Sequence, residues 1–216
     1  MTNFMKKALI LTLGFDEKFC CRAILRHGIK EGDKIILITA GLVEKVRKAY
    51  EWIKAFVERS YDVEVQLVQI DVKNFTKAIQ NVLKLLDKFK DYYLIVNLSG
   101  GMRALALTVL LALMIKPMRN VRLEIELEDL SGLIEIPQNL LRIHEIRQNL
   151  TEEKIEILKL IAQGYKDVKS LSKALKKDVS TIRRHISSLE ELGLIEIEKR
   201  KPLKVKTTKL ADLILG

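Results

Sequence analysis

The sequence predicts an α/β protein in which a Rossmann-like, mostly parallel sheet is followed by a small winged helix-turn-helix domain. Short apolar runs of strand length alternate with amphipathic helical segments over residues 1–137. Residues 151–216 instead have the spacing of three helices followed by two strands that flank a basic tip. Only three prolines and ten glycines occur, so we expect no flexible linker, and residues 138–150 form a short connector.

Strands and helices alternate along the first predicted domain. Buried parallel strands are expected at the continuous apolar runs Lys7–Leu13, Lys34–Thr39 and Tyr92–Leu98. A further strand is expected at Val63–Ile70, where Val63, Val65 and Leu67 alternate with polar residues. Helices with one apolar face are expected between and after them, at Asp16–His27, Leu42–Val57, Phe75–Phe89 and Met102–Ile115. Parallel strands joined by helices need right-handed crossovers, so both faces of the sheet should be covered.

An antiparallel hairpin is predicted at the edge of this sheet. Val121–Leu127 and Leu133–Ile136 have strand patterns, and they flank the turn-forming tetrad Asp129–Gly132. Pro137 ends the pattern. The connector that follows has an apolar side, which would also suit dimerisation.

The last third of the chain has the order helix, helix, helix, wing. Thr151 caps the first helix, which Gly164 ends, and Val168–Lys176 forms the second. In the third helix the apolar residues Val179, Ile182, Ile186, Leu189 and Leu192 share one face. The residues left outward are Ser180, Thr181, Arg183, Arg184 and Ser187, and the predicted wing tip carries Lys199, Arg200 and Lys201 before Pro202.

These outward residue types predict binding to double-stranded DNA. A recognition helix in the major groove needs short hydroxyls and long guanidinium donors, and a basic wing tip suits phosphate contact. Residues 173–209 hold eleven Lys or Arg against five Asp or Glu, and the whole chain carries +10. The alternative is a winged helix used only for protein contacts. His185 stands alone, so we expect it at a groove edge or phosphate and predict no metal site.

Composition limits the cellular setting. Cys20 and Cys21 are adjacent and cannot cross-link a loop, so we predict buried packing in a reducing cytoplasm, with a redox switch as the alternative. The apolar run after Lys6 and Lys7 is too short for an export signal and lacks a cleavage site. Ala104–Ile115 is shorter than the roughly 20 residues that cross a bilayer, so no membrane partner is predicted.

Two loops after predicted strands indicate a ligand site, because open parallel sheets bind ligands at the carboxyl ends of their strands. The first contains Leu13, Gly14 and Phe15, where glycine allows close approach and phenylalanine can stack on a base. The second, with Ser99, Gly100, Gly101, Met102 and Arg103, runs into a helix and presents N–H groups, a hydroxyl and a guanidinium to an anion. The P-loop lysine and the GxGxxG spacing are absent. A plain strand-to-helix turn is the alternative explanation.

Two resemblances extend this interpretation. The string "STIRRHISSLEELGLIE" resembles ArsR- and MarR-like regulators, and "LTLGFDEKF" with "NLSGGMRALAL" resembles archaeal CRISPR-associated regulators with a CARF (CRISPR-associated Rossmann fold) domain. The second resemblance implies a homodimer that binds cyclic oligoadenylate, typically cyclic tetra-adenylate, in one shared pocket and regulates CRISPR loci. It implies that the eight residues named above in the two loops line this pocket. It implies no cofactor other than this ligand and no catalytic residue.

Two other functional interpretations remain open from the sequence. Some CARF proteins cleave their ligand with a lysine or other polar group at the second loop, where this chain has Met102 and Arg103, so a ring nuclease is the enzyme alternative. The other is a MarR-like regulator with another nucleotide, or with a Rossmann domain that only dimerises. Arg22 and His27 match the spacing of an RNase signature found in related proteins, but they fall on the first sheet-covering helix and we interpret the match as chance.

Overall fold

A computed structural model describes residues 5–216, so the first four residues of the predicted first domain lie outside the described residues. The chain divides into two compact units, and the division falls between Leu141 and Arg142, inside the predicted connector. Each unit buries apolar side chains of its own.

The first unit is built on a six-stranded sheet. Its strands are β1 (Lys7–Thr12), β2 (Lys34–Thr39), β3 (Val65–Gln69), β4 (Tyr93–Asn97), β5 (Val121–Glu126) and β6 (Leu133–Ile136). They lie in the order β3-β2-β1-β4-β5-β6, and all neighbours are parallel except β5 and β6. The mostly parallel sheet and its antiparallel edge hairpin are therefore confirmed.

Helices cover both faces of this sheet. They are α1 (Lys18–His27), α2 (Glu44–Ser60), α3 (Phe75–Lys88), α4 (Arg103–Ile115) and the short α5 (Gln138–Leu141). One apolar core lies between the sheet and α1 with α2, and the other lies between the sheet and α3 with α4. The inner strands β1, β2 and β4 are buried on both faces, which explains their continuous apolar sequences.

The second unit is a helix-turn-helix with a β-hairpin wing. It contains α6 (Ile143–Asn149), α7 (Glu152–Ala162), α8 (Val168–Leu175), α9 (Val179–Glu191), β7 (Ile195–Arg200), β8 (Leu203–Thr207) and α10 (Lys209–Leu215). Thr151 caps α7 by accepting from the N–H of Lys154, and Asp167 caps α8 by accepting from Ser170 at 2.9 Å. Lys176 ends α8 in the left-handed conformation with φ 52°. The predicted helix order and wing are confirmed.

Several predicted details are wrong. Helix α1 begins at Lys18 because the Asp16 carboxylate accepts the Lys18 N–H and turns the chain before the helix. Val43, which falls within the predicted helix Leu42–Val57, instead precedes α2 in an extended conformation and is 53% exposed. Val179 is 40% exposed at the start of α9 rather than buried. Helix α10 was not predicted at all.

Candidate functional site

The two predicted ligand loops meet at the point where the strand order reverses. Strands β1 and β4 are neighbours with parallel register, so their carboxyl ends bring Gly14 beside Gly101. A Cβ added to Gly14 would lie 2.8 Å from the nitrogen of Gly101, and one added to Gly100 would lie 2.5 Å from the carbonyl oxygen of Thr12. Loop packing therefore requires these glycines whether or not a ligand is bound.

A compartment lined in part by charged side chains, here called the polar compartment, opens where the loops meet. It is a cavity of about 320 Å³ that includes Gly14, Phe15, Ser99, Gly100 and Gly101 from the predicted set. Five further lining residues were not predicted from the sequence, namely Asp16, Lys18, Phe19, Glu128 and Leu130. Lys18 pairs with Asp16 at 3.1 Å, and the Lys18 backbone N–H chiefly holds the pKa of Asp16 below its usual range. Asp16 and Glu128 therefore place two carboxylates in the lining of this compartment.

A second compartment of about 250 Å³ adjoins the first and is mostly apolar. Leu13, Gly14, Phe15, Gly101 and Met102 contribute to it from the predicted set. The loop after β2 and the start of α2 supply the others, which are Thr39, Ala40, Gly41, Val43 and Val46. Leu13 is only 1% exposed and belongs mainly to the core, whereas Phe15 and Met102 are 69% and 57% exposed at the rim.

The start of α4 offers unused hydrogen-bond donors. Within residues 5–216, the backbone N–H groups of Gly100, Gly101 and Met102 donate no hydrogen bond. They precede the helix, so its positive end reinforces them as anion donors. Arg103 is exposed and forms no ion pair within the same residues, but it is not among the residues that line either compartment.

Buried polar side chains lie beneath the second loop. The Asn97 amide oxygen accepts the N–H of Ser99 at 3.0 Å, and the Asn97 amide nitrogen donates to Glu124 at 3.0 Å. The Ser99 hydroxyl oxygen accepts from the N–H of Glu126 at 2.7 Å. Burial would raise the pKa of Glu124, but hydrogen bonds from His27 and Asn97 and the charges of His27 and Arg26 outweigh burial and hold this pKa below its usual range.

The second unit presents the predicted DNA-binding residues on one helix and one hairpin. Ser180, Arg183, Arg184 and Ser187 are exposed on α9, and Thr181 is half-buried. The buried face of this helix holds Ile182, Ile186 and Leu189, which fixes the outward face. Within residues 5–216, neither Arg183 nor Arg184 forms an ion pair, so both guanidinium groups remain available.

A cleft of about 900 Å³ lies between the start of α9 and the wing. Its basic side chains are Lys169, Arg183, Arg200, Lys201 and Lys204, against the single carboxylate of Asp167. Lys199 is exposed on β7 beside it. Lys169 and Lys204 are exposed and were not predicted, although Lys204 lies within the basic segment of residues 173–209.

His185 does not occupy the predicted position at a groove edge or phosphate. Its side chain is 12% exposed, and its Nε2 lies 3.0 Å from a carboxylate oxygen of Glu153 on α7. The histidine therefore faces the first helix of the module rather than solvent. Within residues 5–216, no cluster of three or more His, Cys, Asp or Glu has the arrangement of a metal site.

Cys20 and Cys21 are free and buried, as predicted from packing. Burial chiefly raises the pKa of Cys21 to about 11, and it raises that of Cys20 further. Thiols in this state are poor nucleophiles, which argues against the redox alternative. In the part of the chain that the structure describes, no helix is both long and apolar enough to span a bilayer.

Known proteins and families match both units. A family model, the Csa3 CRISPR-associated Rossmann-like domain, matches residues 7–137, and a model of the arsR family of bacterial regulatory proteins matches residues 151–196. The CRISPR locus-related protein Csa3 of Saccharolobus solfataricus, for which DNA binding is proposed, is 23% identical over 209 residues, which are 94% of this chain and 85% of that protein.

A solved structure has a similar fold. Enterococcus italicus Csm6 bound to cyclic hexa-2′-fluoro-hexa-dAMP has a TM-score of 0.51 and 12% identity, covering 87% of this chain and 54% of that chain. This chain therefore spans about half the length of Csm6. At this identity the likeness concerns the fold alone.

Proposed function

The chain belongs to the Csa3 family of CRISPR-associated proteins, with a CARF Rossmann-like domain and an ArsR-family helix-turn-helix, and on this premise we propose a homodimeric DNA-binding regulator gated by cyclic oligoadenylate. The observation that carries the ligand proposal is the pair of adjoining compartments at the meeting point of the two loops. Cyclic tetra-adenylate is the ring that we expect, and the regulated genes are those of CRISPR loci.

The two compartments match the two chemical halves of a nucleotide. Free N–H groups at the start of α4 and the Ser99 hydroxyl suit phosphate oxygens. The apolar compartment, with exposed Phe15 and Met102 at its rim, suits a flat base that can stack on an aromatic ring. Csm6, which shares this fold, was solved with an adenine-bearing cyclic oligonucleotide, and that supports the ligand class.

Helix α4 supports the homodimer. After Arg103 its sequence contains no charged residue, and a helix that is apolar all round is normally buried on every side. Here Leu107 and Ile115 are 55% and 62% exposed, and Leu111, spaced four residues from each, is half-buried. A second copy covering this stripe would remove it from water and place the ligand loops of two chains near one two-fold axis.

The DNA-binding part of the proposal assigns different tasks to helix and wing. Exposed Arg183 and Arg184, with Ser180, Thr181 and Ser187, form the surface that reads base edges and nearby phosphates in the major groove. Lys199, Arg200 and Lys201 bind phosphates at the wing, where they set register and affinity.

A calorimetric titration with cyclic tetra-adenylate, followed by chromatography of the recovered ligand, tests this function. We expect saturation at one ring for every two chains and recovery of an intact ring. A ring recovered as linear fragments would make the protein an enzyme of the ring-nuclease class. Absence of binding would contradict the ligand assignment, and another nucleotide retained on purification would replace it.

A further inference from the structure

Strand β5 carries two glutamates in a place where charges are rare. Glu124 is 0% exposed and Glu126 is 2% exposed, and both lie on the face of the sheet covered by α1. A buried carboxylate loses most of its hydration, so it requires cations or hydrogen-bond donors around it. The side chains in contact with these two glutamates therefore identify the groups that stabilise the buried charges.

Three cationic or titratable side chains of α1 reach these carboxylates. Arg26 bridges both, at 3.1 Å to Glu124 and 2.7 Å to Glu126. His27 lies 3.0 Å from Glu124, and Arg22 pairs with Glu126. The spacing of Arg22 and His27, which by sequence matched an RNase signature, is thus explained by contacts to one strand.

The same carboxylates are connected to the ligand loop. Glu124 accepts from the side chain of Asn97, which is 1% exposed, and Asn97 in turn accepts the Ser99 N–H. The backbone N–H of Glu126 donates to the Ser99 hydroxyl oxygen. A hydroxyl can accept and donate at once, and within residues 5–216 the Ser99 hydroxyl donates no hydrogen bond, so its proton remains available to a ligand.

Fold stability alone is a weak explanation for this cluster. Replacing a buried ion pair with apolar residues of similar volume is often neutral or stabilising, because desolvation offsets the attraction. An apolar sequence would also suit β5, which pairs with β4 and β6 and is covered by a helix. An apolar residue in place of Glu124 could not accept the hydrogen bond from Asn97, whose amide oxygen in turn accepts the Ser99 N–H.

We infer that Glu124 and Asn97 are positioning residues that hold the Ser99–Gly101 loop in the conformation that binds a phosphate, an inference that rests on the proposed function for its ligand. Arg22, Arg26 and His27 keep the two glutamates in place from the α1 side. Ser99 is thereby fixed as a hydroxyl donor toward the polar compartment, which it lines.

The test compares Glu124→Ala and Glu124→Gln with Arg122→Ala as a matched control. Gln keeps an oxygen that can accept from Asn97, whereas Ala does not. Arg122 lies 3.4 Å from Glu124 and 3.0 Å from Glu135, so its loss disturbs the same cluster without touching the loop. Three quantities are measured for each full-length variant: the free energy of unfolding, amide hydrogen exchange at Ser99–Gly101 without ligand, and the affinity for cyclic tetra-adenylate.

We expect Glu124→Ala to raise exchange at Ser99 and weaken binding, each on the order of tenfold beyond Arg122→Ala, which is the effect of one lost hydrogen bond. Glu124→Gln should restore both quantities toward wild type even where stability falls. The inference is overturned if, in all three variants, the changes in hydrogen exchange and in ligand affinity scale only with the loss of unfolding free energy. If wild type fails to bind the ring, the proposed function fails, and the exchange comparison still decides the positioning role.

Discussion

Phe15 and Met102 are large apolar side chains that remain exposed on either side of one cavity. Single exposed apolar residues are common on protein surfaces and need no explanation. This pair differs because both residues border the apolar compartment and come from the two loops that meet there. Contact with a base would cover apolar surface of both side chains that solvent reaches in the free protein, where the Lys45 ammonium lies 5.9 Å from the centre of the Phe15 ring.

Phe15→Ala should weaken binding of cyclic tetra-adenylate by about 1 to 3 kcal/mol, because one stacking surface is lost. The side chain is 69% exposed, so the melting temperature should stay near that of wild type. Leu25→Ala is the matched control, since Leu25 is 59% exposed on α1 and is not among the residues lining either compartment. Equal losses of affinity in both variants would remove Phe15 from the site.

Glu128 gives a test of ligand charge. Its exposed carboxylate borders the polar compartment and would repel a phosphate there. Glu128→Gln should therefore raise the affinity for cyclic tetra-adenylate by up to about 1 kcal/mol, an effect that salt should reduce. Titrations at two salt concentrations measure it, with Glu31→Gln, an exposed site in the loop before β2, as control. A fall in affinity would mean that Glu128 accepts a hydrogen bond from the ligand instead.

Helix α9 and the wing should contribute differently to DNA binding. Arg183→Ala or Arg184→Ala should weaken operator binding by about 1 to 3 kcal/mol and relax sequence preference, because the proposed base-reading surface lies on α9. Replacing Lys199, Arg200 or Lys201 should lower affinity for all sequences and flatten its salt dependence. Competition binding against shuffled DNA at several salt concentrations separates the two effects. A larger change in base preference from the wing variants would reverse the roles.

Strand β5 makes stability depend on pH through Glu124. The pKa of Glu124 is held below its ordinary value of 4.5 in the folded protein, so the ionised carboxylate stabilises the fold at higher pH. That contribution is present above about pH 4.5 and disappears as the pH falls through the lowered pKa. Glu124→Gln should show a smaller loss of unfolding free energy in acid than wild type, as measured by urea unfolding at stepped pH. Parallel curves for the two proteins would contradict this assignment.

Local patterns predicted the elements well because both domains obey them. Continuous apolar runs marked strands buried on both faces, and the loops after β1 and β4 were found from the rule that ligands bind at strand ends. The same rule applied to β2 would have found Thr39, Ala40 and Gly41, which line the apolar compartment. Helix α10 was missed because its seven residues are too few for a clear periodic signal.

Side-chain contacts between residues far apart in the chain could not be predicted from the sequence. The alternation in β5 is typical of a strand with one solvated face, yet Glu124 and Glu126 are buried. They are covered by two arginines and a histidine about a hundred residues earlier in the chain, at positions 22, 26 and 27. The shift of His185 away from the DNA face has a similar cause, because its partner Glu153 belongs to another helix.

For the whole molecule, the proposal requires that ligand binding in one unit changes DNA binding by the other. A dimer presents two recognition helices, and half-sites about 34 Å apart accept only certain placements of them. Ligand can alter DNA affinity only if the DNA-competent and DNA-incompetent states bind the ring with different affinities. Linkage then requires DNA to change ligand affinity by the same factor.

The most direct measurement is operator affinity with and without saturating cyclic tetra-adenylate, followed by the ligand titration repeated on the DNA complex. We predict that the ring changes operator affinity by roughly 5- to 150-fold, a coupling of about 1 to 3 kcal/mol, and that DNA changes ring affinity by the same factor. Tight ring binding with no change in DNA affinity or operator choice would contradict the gated regulator, because a ligand that binds two states equally shifts neither.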